Sequence, residues 1–226
     1  MSDQNKKELK PGQFNLSYIP IDWPLTPLGK NKDPYIKGWQ NQPFSVRDIE
    51  EELATGECKA VGLLGGPVYN HPYGLVWVDI DGPTVYKAIE DLCGESVEKA
   101  LPNTLTICSG KKGRERKLYR LNRDQHKHFI RNKYTWHAEA PKEKLEILWS
   151  KHQGVLMGLH PDTQGYYTAK DQGFEYAHKL PDLPAWLMNA IINKNAKQGI
   201  PSNQHTRMVG PGFAINARVN LERDMQ

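Results

Sequence analysis

The chain has 226 residues, which is long enough for one large domain or two small ones, and 38% of them are hydrophobic. A mean hydropathy of −0.69 indicates a soluble, polar globule with a core of its own. No apolar run approaches the ~18 residues of a membrane span, and the first residues lack the apolar region of a signal peptide, so we expect a cytoplasmic location without membrane contact. Three widely spaced cysteines without a Cys-x-x-Cys pair give no indication of a zinc or redox site.

The net charge of +4 is unevenly distributed along the chain. Between Lys111 and Lys133, ten Lys or Arg residues stand against two acidic residues, a local charge of +8 that leaves the remainder at −4. A cluster of this kind is the electrostatic footprint of phosphate-bearing partners. A solvated loop or helix face is the alternative interpretation of the same run.

The first 60 residues contain several local signals. Residues 1–12 are interpreted as a disordered lead-in, and the alternation over 14–21 predicts a first strand. Prolines and glycines among aromatic residues and lysines at 23–39 predict an ordered surface loop over a cleft. Ser45 followed by Asp48 resembles a capping box and predicts a helix that ends near residue 56.

Two apolar runs, at 60–64 and 74–80, predict neighbouring strands, and the second run ends in Asp79 and Asp81. Residues two apart in a strand lie on the same face, so these carboxylates should point the same way. Like charges held side by side repel, and Mg²⁺ bound through one or two carboxylates and substrate phosphates is a common remedy. The alternative is a strand followed by an Asp-Gly turn in which Asp caps a helix.

A helix with Thr84 as its cap is predicted to follow and to pack on the sheet. Strands at 105–108 and 118–121 are predicted to flank a hairpin-like turn that contains glycines and basic residues at 109–117.

The last part of the chain contains two further apolar runs, at 145–149 and 154–157, which are predicted to form a strand pair with Glu146 inside it. Pro184 predicts the first turn of a closing helix that ends near residue 192. We therefore expect a core domain over 13–192. The polar stretch 193–226 is interpreted as a linker, or as the truncated start of a further helical domain.

Three of these features occur in a characteristic order: the Asp79-x-Asp81 strand end, the basic turn after Ser109, and a strand with Glu146. This order resembles the primase-polymerase domains of the archaeo-eukaryotic primase superfamily, as found in plasmid and phage replication proteins. The likeness runs from residue 19 to about residue 187. It also includes Trp, Pro, Gly and Lys positions at 23–39, the Val-Gly-Leu-Leu-Gly-Gly run at 61–66, and His160-Pro followed by Gly and Tyr.

The resemblance implies an α+β fold with an RRM-like sheet that carries the acidic residues and a smaller N-terminal α/β module. It also implies template-directed DNA synthesis from nucleoside or deoxynucleoside triphosphates on single-stranded DNA. Two Mg²⁺ or Mn²⁺ ions would be held by Asp79, Asp81 and Glu146, between the primer 3′-hydroxyl and the triphosphate. Further partners would be the template and primer strands and a helicase domain or protein.

The basic turn departs from the family pattern. Many relatives carry Ser-x-His or Ser-Gly-Gly-x-His, whereas no histidine stands between Ser109 and Tyr119 here. Guanidinium groups bind phosphate through two hydrogen bonds and stay charged, so they can replace an imidazole. The predicted nucleotide-binding residues are Ser109, Lys111, Arg114, Arg116, Lys117 and His160. The predicted DNA-binding residues are Lys30, Lys112, Arg120 and Arg123.

Other interpretations remain open at this stage. The chain is alternatively a non-catalytic single-stranded-DNA-binding module of a replication initiator, or a glycosyltransferase with a metal-binding Asp-x-Asp motif, which Glu146 and the basic segment disfavour. His126 and His128 form a metal pair or an incidental one. Some aromatic residues either stack on bases or fill a core: Trp136, Trp149, Tyr166 and Tyr167.

Overall fold

The computed structural model describes residues 14–170 and 173–197. Within them the chain is α+β, with two antiparallel sheets. The α-helices are α1 (Val46–Thr55), α2 (Thr84–Cys93), α3 (Val97–Ala100) and α4 (Ala185–Ala196). The strands are β1 (Leu25–Leu28), β2 (Ala60–Leu64), β3 (Gly66–Pro67), β4 (Tyr73–Asp81), β5 (Thr106–Cys108), β6 (Arg114–Asn122), β7 (Lys133–His137), β8 (Lys144–Leu148), β9 (Gln153–Gly158) and β10 (Thr168–Ala169). Short 3-10 helices occupy Leu16–Tyr18, Arg123–His128 and Gly173–His178.

The larger sheet has seven strands in the order β10-β5-β6-β4-β8-β7, with β3 also paired to β4. Strand β4 lies in its middle because it is apolar on both faces and can be buried on both. Val76 and Val78 pack with α2 and α4 in one core, whereas Leu75 and Trp77 pack in the other. The alternation along β4 thus assigns one side of the sheet to the helices and the other to the smaller sheet.

The smaller sheet has three strands in the order β1-β2-β9. It packs closely on the larger sheet around Trp77, whose Nε1 donates to the Leu63 carbonyl oxygen at 2.9 Å. Gly154 of β9 lies against the same indole, since a Cβ built there would be 2.4 Å from the ring. The smaller module is therefore completed by β9 from the second half of the chain and is only partly N-terminal.

Several local predictions are confirmed. Helix α1 begins with the reciprocal capping box of Ser45 and Asp48 and ends at Gly56, which has a left-handed conformation. The strands predicted at 60–64 and 74–80 form, although they lie in different sheets and are not neighbours.

The strand predicted over 14–21 is wrong. The segment forms the 3-10 helix Leu16–Tyr18, because the Asn15 side chain accepts a hydrogen bond from the Ser17 backbone and favours a turn.

The cap predicted at Thr84 is also wrong. Instead, Glu143 accepts hydrogen bonds from the backbone N–H and the hydroxyl of Thr84, at 2.7 and 2.8 Å.

The predicted pairing of 145–149 with 154–157 is wrong as well. Both strands form, but β8 pairs with β4 and β7, whereas β9 pairs with β2. Apolar runs indicate strands without specifying their partners, and the turn through Lys151, with φ of 65°, redirects the chain into the other sheet.

Strand β1 was missed inside the predicted loop because it contains proline, which an edge strand such as this one tolerates.

The helix predicted to close the domain is longer than expected. Helix α4 continues to Ala196, beyond the predicted end at residue 192. The lead-in predicted at 1–12 lies outside the described residues. Of the linker predicted at 193–226, residues 193–196 belong to α4 and residues 198–226 lie outside the described residues. Within the described part of the chain, no helix combines the length and the apolar character that crossing a membrane requires.

Gly158 allows a test of the contact between β9 and β2. Its φ is 121°, and a Cβ there would lie 2.3 Å from the Cα of Ala60. Gly158→Ala should lower the free energy of unfolding by about 3 kcal/mol or more, because backbone strain and overpacking add. Gly94→Ala is the matched control, since Gly94 also has positive φ but no atom within 4 Å, and it should cost about 1 kcal/mol. Equal losses in urea unfolding of the two variants would contradict the packing.

Candidate active site

The three predicted acidic residues lie together on one face of the larger sheet. Asp79 and Asp81 occupy the end of β4, and Glu146 of β8 is the direct register partner of Asp79. Opposed residues of an antiparallel pair share a face, so all three carboxylates project to the same side. The alternative role as a helix cap does not apply to Asp81, because Pro83 occupies the N-cap position of α2 without a side-chain bond.

Both aspartates form ion pairs with arginines of β6. Arg116 Nη2 donates to Asp79 Oδ2 at 2.7 Å, and Arg114 Nη1 lies 2.9 Å from Asp81 Oδ1. These are cross-strand pairs, since Asp79 opposes Arg116 and Asp81 opposes Arg114 in the register. Burial opposes the charge of Arg116, but the Asp79 carboxylate raises its pKa. The repulsion expected between the aspartates is thus balanced by two guanidinium groups.

Glu146 is buried and is held by groups from β7 and β8. Lys133 Nζ and Lys144 Nζ lie 3.2 and 3.1 Å from Glu146 Oε1, and the Thr135 hydroxyl donates to the same oxygen at 3.1 Å. Burial alone would raise the pKa of Glu146, but the hydrogen bonds from Lys144 and Lys133 hold it below its ordinary value. Glu146 is therefore ionised at neutral pH.

Sequence reasoning missed the lysines around Glu146. The available signal was the alternation of apolar Tyr134 and Trp136 with polar residues on either side, which predicts a half-buried strand. That strand is β7, and its register opposes Thr135 to Glu146.

A cavity of about 240 Å³ lies beside the aspartates. Asp79 and Asp81 line it, as do five of the six predicted nucleotide-binding residues: Ser109, Lys111, Arg114, Arg116 and His160. Tyr167, predicted as a residue that either stacks or fills a core, also lines it, and so does Lys32, which sequence reasoning missed. The cavity is therefore lined by both signs of charge, with four Lys or Arg side chains and three acidic ones, the third being Glu115.

The basic turn is positioned by close backbone contacts. Gly113 has φ of 69°, and a Cβ there would lie 2.8 Å from the Pro83 nitrogen. Gly82 N–H donates to the Gly113 carbonyl oxygen at 3.2 Å, which holds the turn against the end of β4. At its other side, Lys111 Nζ forms a 2.6 Å ion pair with Asp162.

His160 is buried beside this cavity. Its Nδ1 accepts hydrogen bonds from the backbone N–H groups of Asp162 and Thr163, at 3.2 and 3.3 Å. Burial lowers the pKa of His160, and the positive charges of Lys32 and Lys111 lower it further. The imidazole is therefore neutral at pH 7, with its proton on Nε2.

The remaining predicted basic residues lie elsewhere. Lys117 points to the opposite face of β6 from Arg116, where it is buried beside Glu115 at 3.4 Å, and it does not line the cavity. Arg120 lies four residues beyond Arg116, which is about 13 Å along β6. There it pairs with Asp182, and its guanidinium lies over the Tyr73 ring. The other predicted DNA-binding residues are exposed: Lys30, Lys112 and Arg123.

The aromatic and histidine candidates are mostly structural. Trp149 is fully buried, and the His126 ring packs against it at 4.9 Å. Trp136 is partly buried under Lys194, whose Nζ lies 4.8 Å from the ring centroid. Over residues 14–170 and 173–197, no group of three or more His, Cys, Asp or Glu side chains is arranged to hold a metal ion. Among these residues, His126 and His128 therefore do not belong to such a group. The three acidic residues do not form one either, and their carboxylates pair with Arg and Lys side chains.

A comparison with protein families identifies the family of the chain. Residues 15–186 match the family model described as the N-terminal domain of bifunctional DNA primase/polymerase. The chain therefore belongs to the primase-polymerase family, which is a family of DNA primases and polymerases. A comparison with curated proteins found no match.

The protonation of His160 can be tested through folding. When pH falls from 7 to 5, the unfolded chain binds a proton at this histidine and the folded chain resists it, so stability falls with pH. His160→Asn can accept the same backbone hydrogen bonds without titrating. We expect wild type to lose on the order of 1 kcal/mol more than His160→Asn between pH 7 and 5, as measured by urea unfolding. Identical losses would contradict the lowered pKa.

Proposed function

We propose that the chain synthesises and extends DNA primers by template-directed nucleotidyl transfer from nucleoside or deoxynucleoside triphosphates. The observation that supports this proposal is the register of the larger sheet, which opposes Asp79 to Glu146 and brings Asp81 to the same face, beside a cavity lined by four basic side chains. Family membership supports the class of reaction. The assignment of individual residues is our proposal.

The acidic residues fit a divalent cation by their chemistry. Carboxylate oxygens are the ligands that Mg²⁺ and Mn²⁺ prefer, and the proposed set of Asp79, Asp81 and Glu146 is made of carboxylates only. Bound there, two ions would lower the pKa of the primer 3′-hydroxyl and neutralise charge on the phosphates. The present partners of these carboxylates are cations as well, so the face already stabilises positive charge.

The basic side chains of the cavity would bind and orient the triphosphate. Arg116 has a further donor available, because its Nε is buried without a hydrogen-bond partner among the described residues. Arg114, Lys111 and Ser109 line the same space. A guanidinium can bind two phosphate oxygens at once, and His160 adds a neutral Nε2–H donor. These contacts would hold the α-phosphorus in line with the attacking 3′-oxygen, and pyrophosphate would leave.

The biological setting belongs to the same proposal. Single-stranded template and primer, replication of a plasmid or phage, and a helicase partner are expected from the resemblance, and a cytoplasmic location is proposed with them. The exposed Lys30, Lys112 and Arg123 would contact DNA phosphates. Arg120 would do so only by leaving Asp182.

The two aspartates provide the direct test of catalysis. Asp79→Asn combined with Asp81→Asn keeps an oxygen acceptor for each arginine but removes both negative charges. We expect at least about 100-fold slower extension of a labelled primer with four deoxynucleotides and Mn²⁺. Asp91→Asn, on the exposed face of α2, is the control and should extend normally. Extension at the wild-type rate by the double variant, with an unchanged circular dichroism spectrum, would refute the assignment.

A non-catalytic DNA-binding module is the second candidate, because both aspartates are occupied by arginines. The same primed template separates the two functions. A binding module retards the DNA in a gel and yields no extended product, whereas the proposed enzyme does both. De novo synthesis on circular single-stranded DNA, with labelled ribo- or deoxynucleotides, would then report the choice of sugar and the ability to start primers.

A further inference from the structure

Four basic side chains line the cavity, and they differ in their partners. Lys111 pairs with Asp162, Arg114 with Asp81, and Arg116 with Asp79. Lys32 is the exception: over the described ranges, no carboxylate oxygen lies within 4.0 Å of its Nζ. The cavity therefore contains a half-buried ammonium group that has no direct ion pair among the described residues.

The backbone at Lys32 is held in a conformation that lysine rarely adopts. Its φ is 66°, in the left-handed region that is unfavourable for residues other than Gly, Asn and Asp. Hydrogen bonds maintain the turn: Lys32 N–H donates to the Gly29 carbonyl at 3.1 Å, and Gln153 Nε2 donates to the Lys32 carbonyl at 3.3 Å. Strain that the surroundings enforce is common at functional sites, and here it accompanies an ammonium at the cavity.

The electrostatic surroundings favour an anion at this position. Burial lowers the pKa of Lys32, and the positive charges of Lys111 and Arg116 lower it further, while Asp162 and Asp79 raise it. An anion that bridges these cations would relieve their mutual repulsion. A polyphosphate carries several negative charges in a short chain, so it can contact more than one of them.

We propose that Lys32 is an additional binding residue for the phosphates of the incoming nucleoside triphosphate. This inference rests on the proposed function. It assigns part of the nucleotide site to the loop after β1, which Gln153 ties to β9 of the smaller sheet. The nucleotide would then contact β6 of the larger sheet through Arg114 and Arg116, and the loop after β1 of the smaller sheet through Lys32.

A matched pair of glycine variants tests the proposal. Lys151 is also a lysine in the left-handed conformation, with φ of 65°, but it is exposed and does not line the cavity. Glycine adopts this conformation readily, so Lys32→Gly and Lys151→Gly should both fold, with a melting temperature at or above that of wild type. Each variant is titrated calorimetrically with an α,β-imido analogue of dATP and with pyrophosphate, in the presence of Mg²⁺.

Lys32→Gly should bind both probes about ten-fold to one hundred-fold more weakly than wild type, the range expected for one charge-assisted hydrogen bond. Lys151→Gly should bind them as wild type does, and Lys32→Arg should restore part of the affinity. Unchanged binding by Lys32→Gly would overturn the inference. So would a loss restricted to the dATP analogue, because that result would place Lys32 at the sugar or the base.

The assay of primer extension separates the two levels of the proposal. If wild type extends primers but Lys32→Gly binds both probes normally, the assignment of Lys32 fails and the proposed function stands. If wild type binds neither probe and extends no primer, the inference fails together with the proposed function.

Discussion

The arrangement of charges at the end of β4 is the constraint on which the rest of the site depends. Two carboxylates on one face of a central strand repel each other, and the folded chain must supply positive charge beside them. It does so through the β6 register, which opposes Arg116 to Asp79 and Arg114 to Asp81. A shift of β6 by one residue would place Glu115 beside an aspartate, so the charges and the apolar faces favour the same register.

This register connects the core with the cavity. Trp77 of β4 and Leu118 of β6 oppose each other two residues away from the pair of Asp79 and Arg116. Both pack in the core under the smaller sheet. This face of the larger sheet therefore changes within a few residues from a dry core to a polar site, without a separate loop to carry the acids. Functional groups on paired strands are held more precisely than groups on loops, which suits a reaction that depends on positioning.

The sequence predicted the parts of the site that depend on local pattern. The spacing of Asp79 and Asp81 in an apolar run was sufficient to place them on one face, whereas Glu146 required a resemblance to a known family. Lys32 was missed because its contribution depends on a left-handed turn and on Gln153, 121 residues away. The separation of β8 from β9 was missed for a related reason, since apolar strands do not encode their partners.

The ion pairs also set a condition on how the site can act. A carboxylate that Arg116 or Arg114 neutralises has less charge to offer to a metal ion, and a partly buried arginine that loses its carboxylate needs another anion. A polyphosphate can supply that anion within the same cavity. If the arginines exchanged their aspartate partners for phosphates, the aspartates would be released to bind cations. Cation binding and nucleotide binding would then favour each other, with the same free energy of coupling in both directions. On this view the basic turn that replaces the family histidine both neutralises the aspartates and binds the substrate.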